Sequence, residues 1–365
     1  MMDEFKRILV IQPSWVGDAV MATPTLRALR ERFPEARITY LCRRYVKSMF
    51  VGLPYADRII TYRTGKTKTK TGKGMLKIAA RLRRGQFDAA ILLSNSFKTA
   101  LLCKLAGIKR IIGYERDGRG FLLTDRLLPY KDKGKFIPSP IIYYYLGIAQ
   151  YLGSLHRDIR MKLSVTDAEA QMARDLLGRC GVNPDLEKPL TRGGGPLVII
   201  NAGAQYGVAK CWMPEHFAAV ADRLIQEHNA TILLSGTVRE RAILDAVQRH
   251  MSHAAVDLPS KGLTLGALKE IVRRCDLMIT NDTGPRHIAA AFDVPVITVF
   301  GPTHPQWTEI NFPGERQVSV KVVCGPCQKK FCPLDHRCMR EITPDMVYQQ
   351  AEHLLQPGLA QQQAV

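Results

Sequence analysis

One acidic residue stands where the first predicted strand of the chain leads into a helix. The stretch Gln12-Pro-Ser-Trp-Val-Gly-Asp18 makes this connection. Asp18 is therefore expected at the carboxyl edge of a parallel sheet, where open α/β folds bind their ligands. A carboxylate at that edge can act as a general base toward a substrate hydroxyl. Capping of the helix N-terminus is an equally good explanation for an Asp at this position.

A second strand-to-helix junction combines small residues with cations. It reads Asn281-Asp-Thr-Gly-Pro-Arg-His287. Small residues leave backbone N–H groups free at a helix N-terminus, which binds anions, and Pro285 suits the first helical turn. Together with the basic pair Arg286 and His287, these features indicate a phosphate site. The alternative is an ordinary strand–turn–helix cap.

Two further loops follow predicted strands of the same half of the chain. The loop from Asn201 to Lys210 offers a cation for a phosphate, and the loop from Ser235 to Glu240 offers a carboxylate for ribose hydroxyls. Each signal alone is weak, because Lys and Glu in loops are usually solvated. Both loops begin at the carboxyl ends of strands of the same predicted sheet. Together they therefore predict a nucleotide site.

Four cysteines close to the C-terminus have a spacing that suggests a metal. They are Cys324, Cys327, Cys332 and Cys338, a C-x2-C-x4-C-x5-C pattern that encloses His336. Four thiols in so short a stretch are typical of structural zinc sites, although the pattern lacks the second C-x2-C pair of a zinc knuckle. Disulfides are disfavoured in the cytosol. Free or buried thiols that pack a C-terminal loop are the alternative.

The elements that position these residues alternate between short apolar strands and helices. This alternation is typical of βαβ units around parallel sheets. We predict an N-terminal domain over 1–160, a C-terminal domain over 164–341, and a helix over 342–356 that packs back on the N-terminal domain. Thr166 and Glu169 form a capping signal at the start of the second domain. Predicted strands are Arg7–Gln12, Ala36–Cys42, Arg58–Tyr62, Phe87–Leu93, Arg110–Tyr114, Leu197–Asn201, Thr231–Ser235, Ala255–Leu258, Leu277–Thr280 and Val294–Phe300.

Composition narrows the class of protein. The chain has 365 residues, of which 46% are hydrophobic, as in globular domains. The sequence contains no run of 18 apolar residues, so no membrane-spanning helix is predicted. The start MMDEFKRILVIQPSW lacks the features of a signal peptide. We therefore expect a cytoplasmic protein.

The charge of the chain is strongly positive. Lys and Arg number 52 against 33 Asp and Glu, so the formal net charge is +19. Such a field favours anionic partners. The segment Arg63–Arg84 holds nine Lys or Arg and no acid. It is either a solvated linker or an arm that gathers an anionic substrate or touches an anionic surface.

Three sequence stretches resemble one enzyme family. PSWVGDAVMATPTLRAL, NSFKTALL and TNDTGPRHIAAAFDVPVITVFGPT are similar to the bacterial ADP-heptose:lipopolysaccharide heptosyltransferases, family 9 of the glycosyltransferases. The motifs occur in the family's order, and the resemblance covers nearly the whole chain. The PSWVGD and NSFK pair most resembles the heptosyltransferase II members, which add the second inner-core heptose.

The resemblance implies an α/β chain with the GT-B fold, in which two Rossmann-like domains with parallel sheets face each other across a cleft. The N-terminal domain would take the acceptor and the C-terminal domain ADP-heptose. The reaction implied is an inverting transfer of L-glycero-D-manno-heptose without cofactor or catalytic metal. The implied acceptor is lipid A-Kdo-heptose at the cytoplasmic face of the inner membrane, so we expect peripheral contact with that membrane.

The resemblance also assigns roles to residues. Asp18 matches the proposed general base. Asn95 and Lys98 match a segment on the acceptor side. The residues expected to bind the donor are Asn201, Lys210, Glu240, Asp282, Thr283, Gly284 and His287.

Three alternative functions stay open at this point. Heptosyltransferases I and III would use the same donor with a different core acceptor. A nucleic-acid-binding protein would suit the charge, but aromatic residues make up only 7% of the chain and the basic segment has none. A nicotinamide-dependent oxidoreductase would suit the fold, but Gly17 is the only glycine in the loop after the first strand, so no G-x-G-x-x-G motif is present there.

Overall fold

The computed structural model describes residues 4–62, 73–183 and 194–356. The chain forms two compact units. The first unit comprises Met1–Ser164 and Gln306–Ile310, and the second comprises Val165–Pro305 and Asn311–Val365. The main change of unit falls next to the predicted boundary at residue 164.

The first unit is built on a parallel sheet. Its strands are β1 (Arg7–Ile11), β2 (Arg37–Arg43), β3 (Arg58–Tyr62), β4 (Ala89–Leu92), β5 (Arg110–Tyr114) and β6 (Asp125–Leu127), with a hairpin of β7 (Lys131–Asp132) and β8 (Lys135–Phe136). Its helices are α1 (Val16–Met21), α2 (Thr23–Arg32), α3 (Lys73–Arg83), α4 (Phe97–Leu105) and α5 (Ile141–Tyr151). The sheet order is β3-β2-β1-β4-β5-β6. This order reverses between β1 and β4, so ligands are expected outside their carboxyl ends.

The second unit repeats this plan. Its strands are β9 (Leu197–Asn201), β10 (Thr231–Ser235), β11 (Val256–Asp257), β12 (Leu277–Asn281), β13 (Val296–Phe300) and β14 (Glu315–Ser319). Its helices are α6 (Asp167–Arg179), α7 (Pro214–His228), α8 (Arg241–His250), α9 (Leu265–Arg274), α10 (Gly284–Ala291), α11 (Arg337–Arg340) and α12 (Pro344–Leu355). All pairs are parallel in the order β11-β10-β9-β12-β13-β14, and the order reverses between β9 and β12.

Local sequence explains two of the helix starts. The predicted capping box of α6 is confirmed, because Thr166 Oγ1 accepts from the N–H of Glu169 at 3.3 Å and the Glu169 carboxylate accepts from the N–H of Thr166 at 3.1 Å. The apolar pattern of the sequence predicts one helix over Ala19–Arg32, but the structure has two helices there, α1 and α2. Pro24 has no N–H to donate to the carbonyl of Val20, and the Thr23 hydroxyl donates to that carbonyl instead, at 2.7 Å.

The C-terminal helix α12 packs within the second unit. Its residues Val347, Tyr348 and Ala351 belong to that unit's apolar core. Tyr348 Oη donates to the carboxylate of Glu227 on α7 at 2.7 Å. The expectation that this helix packs back on the N-terminal domain is therefore corrected: its apolar stripe is buried against α7 and the second sheet. None of the described helices is long and apolar enough to span a bilayer.

Candidate functional site

Two loops meet at the point where the second sheet reverses its order. Asn201 ends β9, and Asp282 and Thr283 follow β12. The side-chain amide of Asn201 donates to Thr283 Oγ1 at 3.3 Å. The amide of Asn281 donates to the carbonyl of Ala202 at 2.8 Å. These bonds join the predicted donor loops into one buried platform.

A buried ion pair lies on this platform. Lys210 Nζ and Asp282 Oδ2 are 2.5 Å apart, and both side chains are almost fully shielded from solvent. Thr303 Oγ1 donates to the same carboxylate oxygen at 2.9 Å. Burial alone would raise the pKa of Asp282, but the charges of Lys210 and Arg286 lower it to about 2. The carboxylate is therefore ionised and holds the ammonium group of Lys210 in place.

Arg286 is part of an internal ion-pair cluster. Its guanidinium forms two hydrogen bonds with Glu315, one of them 2.7 Å long, and lies 3.5 Å from Asp282 Oδ1. Arg286 is fully buried. The sequence indicated that Arg286 binds a phosphate. In the structure its guanidinium is instead paired with the carboxylates of Glu315 and Asp282.

The neighbouring His287 is neutral. Burial and the positive charge of Arg286 lower the pKa of its imidazole to about 3. Its Nδ1 atom is buried and has no hydrogen-bond partner among the described residues. His287 therefore adds shape to the platform and no charge near neutral pH, so the predicted basic pair is not a pair of free cations.

The N-terminus of α10 has features that are typical of an anion site. Thr283 is its N-cap residue, with extended backbone and no side-chain capping bond. Within the described parts of the chain, the N–H of Gly284 has no backbone acceptor. Helix N-termini carry a partial positive charge. An open N–H group at this position suits a phosphate oxygen, and the carboxylate that holds Lys210 belongs to Asp282, two residues earlier.

Glu240 also reaches this platform. Its carboxylate accepts from the N–H and the hydroxyl of Thr237, at 2.8 and 2.7 Å. The same carboxylate lies so close to Gly203 that an added Cβ there would be 2.4 Å from Oε1. Glu240 is therefore brought next to the loop that follows β9, as a ribose-binding acid requires.

In the first unit, Asp18 lies in the first turn of α1 and is half-buried. The N-cap residue of that helix is Trp15, so Asp18 is not the N-cap residue but the third residue of the helix. Tyr145 is a neighbour of Asp18. Its burial raises the pKa of the phenol well above the usual value, and the negative charge of Asp18 raises it further.

Asn95 lies across the same reversal of the first sheet, just after β4. Its Oδ1 accepts from Tyr144 Oη at 2.8 Å and from Arg119 Nη2 at 3.2 Å. Lys98, on the first turn of α4, is exposed and has no ion-pair partner among the described residues. Asp18 and Asn95 thus flank one switch point. Arg119 is a buried arginine that the sequence analysis missed, because loop arginines are usually solvated.

Comparison with known proteins identifies the family. Residues 75–337 match the family model described as glycosyltransferase family 9 (heptosyltransferase). The chain belongs to this family. It is 28% identical to lipooligosaccharide heptosyltransferase 2 of Haemophilus influenzae, covering 95% of this chain and 99% of that protein. It is 26% identical to lipopolysaccharide heptosyltransferase 2 of Escherichia coli, covering 96% and 98%.

Solved structures agree with this family 9 assignment at the level of the fold. The E. coli ADP-heptose heptosyltransferase II structure has a TM-score of 0.75 at 24% identity, covering 98% of this chain and all of that one. A glycosyltransferase family 9 structure from Veillonella parvula has a TM-score of 0.79 at 21% identity, covering 97% and 98%. The two Rossmann-like domains of the expected GT-B fold are confirmed. Neither the nucleic-acid-binding nor the oxidoreductase alternative gains support.

The cysteine-rich loop, residues 324–338, lies next to the buried platform that is formed by the loops after β9 and β12. Cys324, Cys327, Cys332 and Cys338 line one cavity of about 60 Å³ together with His336. In the described ranges, no three metal-ligating side chains are assembled into a metal site. A structural metal site therefore stays a prediction, which metal analysis and thiol titration of the purified protein test.

The cysteine-rich loop also forms hydrogen bonds with the loop from Asn201 to Lys210, which we call the Lys210 loop. The N–H of Ala209 donates to the carbonyl of Lys330 at 3.0 Å, and Tyr206 Oη donates to the carbonyl of Gln328 at 2.8 Å. His336 Nε2 is 2.8 Å from the carbonyl oxygen of Ala209. These contacts fix the segment that presents Lys210. Sequence spacing did not reveal them, because they join residues more than a hundred positions apart.

Proposed function

We propose that this enzyme transfers L-glycero-D-manno-heptose from ADP-heptose to the inner core of lipopolysaccharide, as the second heptose, with inversion. Full-length similarity to heptosyltransferase 2 proteins supports this substrate pair. The observation that carries the donor side is the buried Lys210–Asp282 pair beside the open N-terminus of α10.

The donor site would act on the charge of the leaving ADP. Lys210 has three N–H donors, and its bond to Asp282 leaves others for phosphate oxygens. The ion-pair cluster contains as many anions as cations, so its charges compensate one another. The negative charge of a bound pyrophosphate would therefore be stabilised by hydrogen bonds from Lys210 and from the N–H of Gly284. Such fixed donors stabilise charge that develops in the transition state without having to reorient. Asp282 is in this scheme a positioning residue for Lys210.

The acceptor side would supply the base. Asp18 takes the proton of the acceptor hydroxyl as that oxygen bonds to the anomeric carbon. The bond from the anomeric carbon to the ADP oxygen breaks in the same step, and the electron pair leaves with ADP. Attack from the face opposite the leaving group inverts the configuration. The place of Asp18 at the switch point of the first sheet supports this role.

The donor site is tested by comparing two buried lysines of the second unit. Lys210→Met removes the cation that is paired with Asp282, next to α10. Lys269→Met removes a fully buried lysine on α9 that is also paired, 2.8 Å from Glu169. Loss of a charged hydrogen bond is expected to weaken ADP binding about 10- to 100-fold in the first variant only. Calorimetry with ADP measures this. Equal ADP affinity in both variants would place Lys210 outside the donor site.

Peripheral contact with the inner membrane is part of the proposal, since the acceptor is lipid-linked. Residues 63–72 of the basic segment lie outside the described residues. Its described part is α3, which exposes Leu76, Lys77 and Arg81. Each cation near an anionic surface contributes about 1 kcal/mol, screened by salt. Ser replacement of Lys66, Lys68, Lys70 and Lys73 is expected to weaken salt-sensitive vesicle binding. Unchanged vesicle binding would show that the segment is a solvated linker.

A further inference from the structure

A short hairpin of the first unit forms an exposed projection. We call residues 128–137 the basic hairpin. Its two strands pair antiparallel, with Lys131 opposite Phe136 and Asp132 opposite Lys135. Lys133 and Gly134 form the turn with φ of 45° and 81°. Positive φ at both central residues is the feature of a tight type I′ turn, so the hairpin presents its side chains on a defined backbone.

The basic hairpin exposes apolar side chains at its two ends and lysines around its turn. Leu128 is 74% exposed and Tyr130 is 78% exposed, and Phe136 and Ile137 are also exposed. Lys131, Lys133 and Lys135 lie between them and are exposed, and Asp132 is the single acid of the hairpin. Large apolar residues grouped on a surface mark an interaction site.

The basic hairpin borders the proposed acceptor side. The guanidinium of Arg116 lies 4.0 Å from the centre of the Phe136 ring. Its charge also reaches Tyr144, where it opposes the burial that raises the pKa of that phenol to about 12. Tyr144 in turn donates to Asn95. A chain of contacts therefore runs from the hairpin to one of the residues that match the acceptor segment.

The mixture of side chains selects one kind of partner. Leu128 and Ile137 are aliphatic and cannot stack on bases, so a nucleic acid would leave them unused. A second copy of this chain would bring another +19 of charge against the three lysines. An anionic bilayer satisfies both groups, because aromatic and aliphatic side chains enter the interfacial layer while lysines meet lipid phosphates.

We propose that the basic hairpin docks on the anionic bilayer that carries the acceptor, with Leu128, Tyr130 and Ile137 at headgroup depth and the three lysines on lipid phosphates. This inference rests on the proposed function. It places the membrane contact beside the acceptor residues, so that the enzyme meets a lipid-linked core at the surface where the core is anchored.

Vesicle sedimentation tests the contact with two hairpin variants. One replaces Leu128, Tyr130 and Ile137 with Ser, and the other replaces Lys131, Lys133 and Lys135 with Ser. The matched controls change exposed residues elsewhere: Leu155, Met172 and Val323 to Ser, and Lys109, Lys261 and Lys321 to Ser. The probes are vesicles of phosphatidylglycerol with phosphatidylcholine, and of phosphatidylcholine alone, at low and high salt.

We expect wild type and both controls to bind the anionic vesicles at low salt and to release at high salt. Each hairpin variant is expected to bind at least tenfold more weakly. The KM for a vesicle-borne acceptor should rise in the hairpin variants, whereas the KM for a delipidated core oligosaccharide and the Kd for ADP should not change. Hairpin variants that bind vesicles as the controls do would overturn the inference.

Two other outcomes are also decisive. If the hairpin variants raise the KM for the delipidated core and bind vesicles normally, the hairpin is an acceptor subsite and the membrane inference is wrong. If wild type transfers no heptose to the delipidated core, the proposed function fails regardless of vesicle binding. The two claims therefore fail separately.

Discussion

At the scale of single residues, the proposed donor site depends on one ion pair between residues that are far apart in the sequence. Lys210 and Asp282 are 72 positions apart and form a bond of 2.5 Å. The sequence predicted that both residues belong to a nucleotide site, because of their types and because each lies in a loop that follows a predicted strand. Their pairing could not be predicted, because it depends on how two loops converge. The same holds for Arg286, whose partner Glu315 lies on an edge strand that the sequence did not reveal.

The role of Asp18 as general base, which we propose, gives the sharpest prediction at this scale. Asp18→Asn keeps the shape of the side chain but removes its proton affinity. Turnover is expected to fall about 10²- to 10⁴-fold, while the Kd for ADP stays the same. The control is Asp57→Asn, because Asp57 binds the N–H of Ile38 at the opposite edge of the same sheet. That variant should lose stability and keep its turnover. Near-normal turnover of Asp18→Asn would remove this residue from the mechanism.

The buried imidazole predicts a pH effect on stability. The folded state lowers the pKa of His287 from 6.5 to about 3, so the unfolded chain binds a proton first as pH falls. His287 is expected to reduce the free energy of unfolding by about 1.4 kcal/mol per pH unit between roughly pH 6 and pH 3. His287→Asn should show a shallower loss over pH 6.5 to 5 in urea titrations. The exposed His353→Asn is the control, and identical slopes in all three proteins would contradict the assignment.

At the scale of elements, the sequence predicted the central strands and the edge strands β3 and β11, but it missed the edge strands β6 and β14. β1, β9 and β12 are short apolar runs covered on both faces, which is the pattern of buried parallel strands. Edge strands β6 and β14 read DRL and ERQVS, and solvent on one side allows polar residues there. The basic hairpin escaped detection for the same reason. The donor loops followed from central strands, and for that reason they were predicted.

The support of the Lys210 loop by the cysteine-rich loop predicts the effect of one methyl group. A Cβ at Gly207 would be 2.4 Å from the carbonyl oxygen of Lys330 and 2.8 Å from its Cα. Gly207→Ala is expected to cost about 1–3 kcal/mol of stability. It should weaken ADP binding about tenfold, which corresponds to 1.4 kcal/mol of that strain.

Gly178→Ala provides the control for this substitution. Gly178 lies in α6, and an added Cβ there meets nothing within 4 Å. Alanine should stabilise that helix by about 0.5–1 kcal/mol and leave ADP binding unchanged. If Gly207→Ala binds ADP as tightly as Gly178→Ala does, the contact between the two loops does not position Lys210.

At the scale of the whole molecule, charge and motifs carry different amounts of information. The net charge of +19 indicates an anionic partner but not its class. The distribution of the charge is more informative about the class of partner, because the basic hairpin combines lysines with aliphatic side chains. The ordered motifs predicted the family, the two Rossmann-like domains and the donor loops. The packing of α12 on α7 was not predictable, because an apolar helix face does not name the surface that buries it.

Product analysis with defined acceptors is the decisive test of heptose transfer to the inner core. The purified enzyme is incubated with ADP-heptose and three delipidated cores that carry no heptose, one heptose or two heptoses, and the products are weighed by mass spectrometry. We expect one added heptosyl residue on the one-heptose core and none on the other two. Transfer to the heptose-free or the two-heptose core, or no transfer to any of them, would contradict the proposed function.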